Sequence, residues 1–111
     1  MADTTPRWGL ARVHGRSMLP TLRDGDRLLL DYRCPPSPGR IAVVGLPDGT
    51  VAVKRLDHLA EDGWWVSRDN PSEGVDSWSL GAPVTQVRAI AVARMWPRPT
   101  LLGRCAKMDR G

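Results

Sequence analysis

Apolar residues along this chain come in short runs, and most of those runs alternate with polar positions. Trp8 to His14, Arg27 to Arg33, Arg40 to Leu46, Thr50 to Leu59, Gly63 to Ser67 and Gln86 to Met95 each read as a strand. Turn formers separate them. Asp24-Gly25, Pro47-Asp48-Gly49 and Glu61-Asp62-Gly63 mark reversals, and Cys34-Pro-Pro-Ser-Pro-Gly39 is a stiff connection whose prolines remove backbone donors. Asp69 to Pro83 is a polar loop with room for one short strand near Trp78. Eleven Gly and ten Pro spread along 111 residues break any long helical pattern. These features predict a compact all-β fold of short antiparallel strands, either a small barrel or a pair of sheets. Residues 1–99 are expected to form its domain, and 100–111, rich in Gly and Arg, a mobile tail.

Composition narrows the picture only a little. The chain is 41% hydrophobic and 25% charged, as an ordinary globular domain is. Five Trp and no Phe make Trp the main aromatic packing residue. The net charge of +4 comes from arginines scattered along the chain, many beside Asp or Glu, with no basic run interleaved with aromatics. A nucleic-acid partner is therefore not expected. No stretch approaches the roughly 20 apolar residues of a membrane span, and Met1 to Gly9 has no apolar signal-peptide core. Read this way, the chain is a cytoplasmic protein. Cys34 and Cys105 have no zinc-ligand spacing and are expected as two free thiols, with a disulfide between them left open.

Two positions carry candidate chemistry. Ser17 sits in a Gly- and Pro-containing loop between two strands, where a hydroxyl and neighbouring N–H groups are accessible; such serines are most often turn residues. Lys54 sits in Thr50-Val-Ala-Val-Lys-Arg-Leu56. Alternation puts Ala52, Lys54 and Leu56 on one face of that strand. An amine held against apolar neighbours loses hydration, which lowers its pKa and makes it usable as a base; on the pattern alone, an edge-strand lysine whose ammonium reaches water is the favoured reading. His14 and His58, with Asp57 or Asp26, offer a Ser-His-Asp reading that no spacing rule selects.

Three segments taken together go further. Gly15-Arg-Ser-Met-Leu-Pro-Thr-Leu22 with Gly25-Asp26 resembles the nucleophile segment of type I signal peptidases, and Val53-Lys-Arg55 resembles their lysine segment. Asp69-Asn70 with Asp76-Ser77 resembles their third segment, in the same order. Within that family, Asp62-Gly-Trp-Trp-Val-Ser-Arg-Asp-Asn70 is most similar to soluble actinobacterial proteases linked with nickel superoxide dismutase maturation. The resemblance implies a Ser17–Lys54 dyad with no metal or other cofactor. It implies an oxyanion hole from the backbone around Gly15, Arg16 and Ser17. Met18, Pro20, Asp69, Asn70, Asp76 and Ser77 would support the site. The implied partner is a precursor protein or peptide that loses an N-terminal leader.

The chain departs from the pattern at Arg68, where the family usually has Gly, at Gly74, where a Ser often orients the lysine, and at Trp78, where an Arg usually stands. Two other readings stay open. One is a self-cleaving protease of the SOS-repressor kind, which needs a cleavage segment upstream of the nucleophile loop. The other is a relative that grips a peptide by strand addition without cutting it.

Overall fold

The computed structural model describes residues 6–105. Seven strands form in it: β1 (Trp8–Arg12), β2 (Arg27–Asp31), β3 (Ile41–Gly45), β4 (Val51–Ala60), β5 (Gly63–Ser67), β6 (Gln86–Trp96) and β7 (Thr100–Leu101). The all-β fold of antiparallel strands expected from the sequence is present. All seven join one hydrogen-bonded sheet in the order β1-β2-β6-β3-β4-β5, with β7 beside β6. β6 thus inserts between β2 and β3, which are consecutive in the chain.

The central strand β3, Ile-Ala-Val-Val-Gly, is apolar at every position because both of its faces are covered. Ile41 and Val43 join Met18, Leu22, Leu28 and Ala91 in one apolar cluster. Ala42 and Val44 join Leu56, Val66, Val84 and Ile90 in a second. Met18 and Leu22 come from the loop that carries Ser17, so burying them fixes that loop against the sheet. At about 25 cal/mol per Å² of apolar area removed from water, each fully buried side chain of this size contributes about 1.5–3 kcal/mol.

Three features differ from the sequence expectation. The segment near Trp78 is a single helical turn, α1 (Ser77–Leu80), and not a strand. Its ends explain why. The Asp76 carboxylate accepts the Ser79 N–H, the Ser79 hydroxyl accepts the Asp76 N–H, and Gly81 closes the turn at φ 71°. The presumed tail begins as structure: Thr100 and Leu101 pair with Arg94 and Ala93, the Leu102 N–H donates to the Val92 carbonyl, and Arg40 donates to the Arg104 carbonyl. Residues 106–111 lie outside the described residues. Finally, Cys34 and Cys105 form a disulfide, with Cα atoms 5.5 Å apart, in place of two free thiols. Their separation of 71 residues hid this, because β7 alone brings the C-terminal segment back beside the β2–β3 connection. Among the described residues, no helix is long and apolar enough to cross a membrane.

Candidate active site

Pairing of β4 with β3 sets Lys54 opposite Ala42, and alternation sets it between Ala52 and Leu56. Ala52 and Leu56 pack in the second apolar cluster, and Lys54 is only 3% exposed. Its Nζ donates to Ser17 Oγ at 3.3 Å. Burial holds its pKa below the usual lysine value. The Arg68 cation pushes it down further, and the Asp76 carboxylate pushes the other way. Lys54 is therefore desolvated, where the strand pattern alone favours an ammonium reaching water, and the serine it contacts lies 37 residues away.

The Ser17 loop is tied down from the β5–α1 connection. The Asn70 N–H donates to the Ser17 carbonyl at 2.8 Å, and the Asn70 side-chain amide donates to the Arg16 carbonyl at 3.0 Å. Asp69 accepts both Arg55 Nε (2.8 Å) and Arg55 Nη2 (2.7 Å), and also the Thr21 hydroxyl at 2.5 Å. Burial alone would raise the Asp69 pKa. The hydrogen bonds from Arg55 and Thr21 and the Arg55 charge outweigh it, so the carboxyl lies below its ordinary value. One carboxylate thus joins the Ser17 loop through Thr21 to the Lys54 strand through Arg55. The sequence names the segments containing Thr21 and Arg55 but gives neither this role. The only signal was an unpaired Arg in a half-buried strand and an Asp 14 residues away.

Other site positions fall as follows. Met18 is buried, and Pro20 follows a cis peptide bond in the same loop. The Ser77 hydroxyl, also buried, accepts the Val66 N–H and fixes α1 to β5. Asp76 caps α1 and lies 3.6 Å from Arg68 Nε, while Arg68 Nη1 donates to the Gly74 carbonyl. Gly74, at φ 82°, presses on the Ser17–Lys54 contact: a Cβ there would stand 2.5 Å from Ser17 Cβ and 3.4 Å from Lys54 Nζ. Only glycine fits both that backbone conformation and that space. The Gly15 N–H donates to Asp24 Oδ1 at 2.8 Å. The Ser17 N–H has no acceptor among the described residues.

The histidines stand apart from this pair. His14 is exposed and lines the cleft beside Ser17. His58 bonds Asp57 at 2.7 Å and stacks on Trp65, which meets Trp78 edge-on. Neither bonds Ser17 among the described residues. Asp31, Cys34 and Cys105 lie close enough together to suggest metal ligands. Their disulfide uses both sulfurs, however, and Arg7 pairs with the carboxylate, so the group does not suit an ion.

The cleft holds about 320 Å³ and runs between β1, ending at Ala11 and Arg12, and the first half of β4, Val51 to Lys54. Both strand edges face it unpaired among the described residues, since β1 pairs only β2 and β5 pairs β4 only from Arg55 onward. No curated protein matches the chain. The family model described as Peptidase S24-like matches residues 2–94, which spans every element from β1 through most of β6 as well as the Ser17 and Lys54 segments. By that match, this chain belongs to the peptidase S24-like family.

Proposed function

We propose that the chain is a serine endopeptidase in which Ser17 is the nucleophile and Lys54 its general base. The observation that carries this reading is the 3.3 Å contact between Ser17 Oγ and a lysine amine that is buried and held below its usual pKa. Neutral Lys54 takes the Ser17 proton as Oγ attacks the scissile carbonyl carbon. The carbonyl oxygen becomes an oxyanion, and the Ser17 N–H donates to it. Lys54 then gives its proton to the leaving amine as the peptide C–N bond breaks. Water, deprotonated by the same amine, hydrolyses the acyl-enzyme and restores both groups.

The substrate fits as an extended segment between β1 and β4, whose free edges supply backbone donors and acceptors. Met18, Pro20, Asp69, Asn70, Asp76 and Ser77 act as positioning residues, through the contacts that hold the nucleophile loop and α1 in place. The substrate class implied by the motif resemblance is a precursor that loses its leader, nickel superoxide dismutase among the candidates. The family match is what favours a second reading. S24-like peptidases include the self-cleaving SOS-repressor kind, so the chain's own polypeptide is the alternative substrate.

The test is intact-mass analysis of a candidate precursor incubated with the wild type and with Ser17→Ala. Cleavage by the wild type alone, at a rate that rises with enzyme concentration, supports the endopeptidase acting in trans. Concentration-independent loss of the enzyme's own mass would replace it with self-cleavage. Equal cleavage by Ser17→Ala would overturn the assignment of the nucleophile.

A further inference from the structure

A second cleft lies beside the one at Ser17. Arg12, which lines the Ser17 cleft, also lines this second one, of about 410 Å³. That cleft is built from the turn before β2, the start of β2 and the end of β6, and Arg12, Arg23, Arg27 and Arg98 all face it, all exposed. Among the described residues lining it, two carboxylates, Asp24 and Asp26, stand against the four guanidinium groups. Asp24 accepts the Gly15 N–H at 2.8 Å. Asp26, buried, accepts the Arg23 N–H at 2.9 Å and lies 3.6 Å from Arg94 Nη1. Among the described residues, none of the four arginines forms an ion pair. Cations gathered in one concavity repel one another and attract an anionic partner.

We propose that this arginine-lined cleft binds an acidic stretch of the same polypeptide whose scissile bond lies at Ser17. This deepens the endopeptidase reading and rests on it. Guanidinium forks match carboxylates in two-pronged geometry. Arg12 lines both clefts, so one extended chain running past it occupies both. A nucleic acid is the weaker occupant. Single-stranded bases need open aromatic faces, and the aromatic residue here, Trp96, has the Arg27 guanidinium over its ring at 5.2 Å.

The experiment measures binding without turnover, in a Ser17→Ala background. Two fluorescein-labelled peptides of equal length are compared, one with four consecutive glutamates and one with glutamines in their place. The glutamate peptide binds about tenfold tighter, equal to about 1.4 kcal/mol. The advantage disappears near 1 M salt, where charges are screened beyond about 3 Å. It also disappears when Arg23→Gln, Arg27→Gln and Arg98→Gln are combined, in a protein whose circular dichroism is unchanged.

Equal binding of the two peptides overturns the proposal. So does a preference that survives the triple substitution, or a single-stranded oligonucleotide that binds more tightly than the glutamate peptide. The two readings fail separately. Wild type that cuts both peptides equally keeps the endopeptidase and removes the acidic site. Wild type that cuts neither, while the binding preference holds, does the reverse.

Discussion

Replacing Lys54 with methionine should abolish cleavage and make the protein more stable. The amine is 3% exposed, and its one hydrogen-bond partner among the described residues is Ser17 Oγ at 3.3 Å. An ammonium has three donors to satisfy. A buried polar group without full compensation costs about 1–3 kcal/mol by mutational measures. Methionine keeps much of the volume beside Ala52 and Leu56 and removes that cost. Ser17 is only half-buried, so its hydroxyl turns to water. The expected gain at pH 7 is about 1–3 kcal/mol, and each kcal/mol raises Tm by about 4–8 °C in a domain of this size.

The pH dependence gives the sharper check. The native pKa of Lys54 lies below the 10.5 of an ordinary lysine, so between the two the unfolded chain binds more protons than the native one. Wild-type stability therefore rises with pH across that window, by at most about 1.4 kcal/mol per pH unit. Below the native pKa the penalty is present in full. Thermal melts of wild type and Lys54→Met from pH 7 to pH 10, with peptide cleavage assayed in parallel, should show the variant's advantage shrinking as pH rises. A variant less stable than wild type at pH 7, or a difference constant across the range, would mean that the amine is solvated, and the buried-base argument would fail.

Two further outcomes are expected. Arg68→Gln should move the alkaline-rising limb of activity to higher pH, and Asp76→Asn, which can still cap α1, should move it to lower pH; pH–rate profiles check both directions, and unchanged profiles would remove these charges from the base's environment. Replacing Cys34 and Cys105 together by serine should cost about 2–4 kcal/mol of stability, read from denaturant midpoints, because the closed loop spans 71 residues.

Strand existence was legible because short apolar runs lie between turn formers, with burial alternating along β1, and β3 was legible because both of its faces are covered. What escaped the sequence depends on which distant residues meet. The insertion of β6 between β2 and β3 brings Trp96 and Arg98 to the turn at Arg23, so arginines that look scattered along the chain line one cleft. The Cys34–Cys105 bond and the Arg55–Asp69–Thr21 connection escaped for the same reason. The Ser17–Lys54 contact was reached through motif resemblance, since no local rule relates positions 37 residues apart. The α1 turn was missed because Asp76, Ser79 and Gly81 act as caps on so short a helix that no apolar periodicity announces it.

The hairpin turn between β3 and β4 works as a measuring device for the amine. Leu46 and Thr50 close it through a 2.8 Å backbone bond, and Asp48 accepts from the Thr50 N–H and hydroxyl. From that fixed origin the ladder counts Val51 against Gly45 and arrives at Lys54 against Ala42. Lengthening the turn by one residue would advance the count by one and offer Val53 or Arg55 to Ser17, with the amine turned to the opposite face. A two-residue change would restore the parity and still deliver Ala52 or Leu56. A turn outside the cleft lining thus determines which side chain meets Ser17, and its length is as constrained as the identity of the lysine.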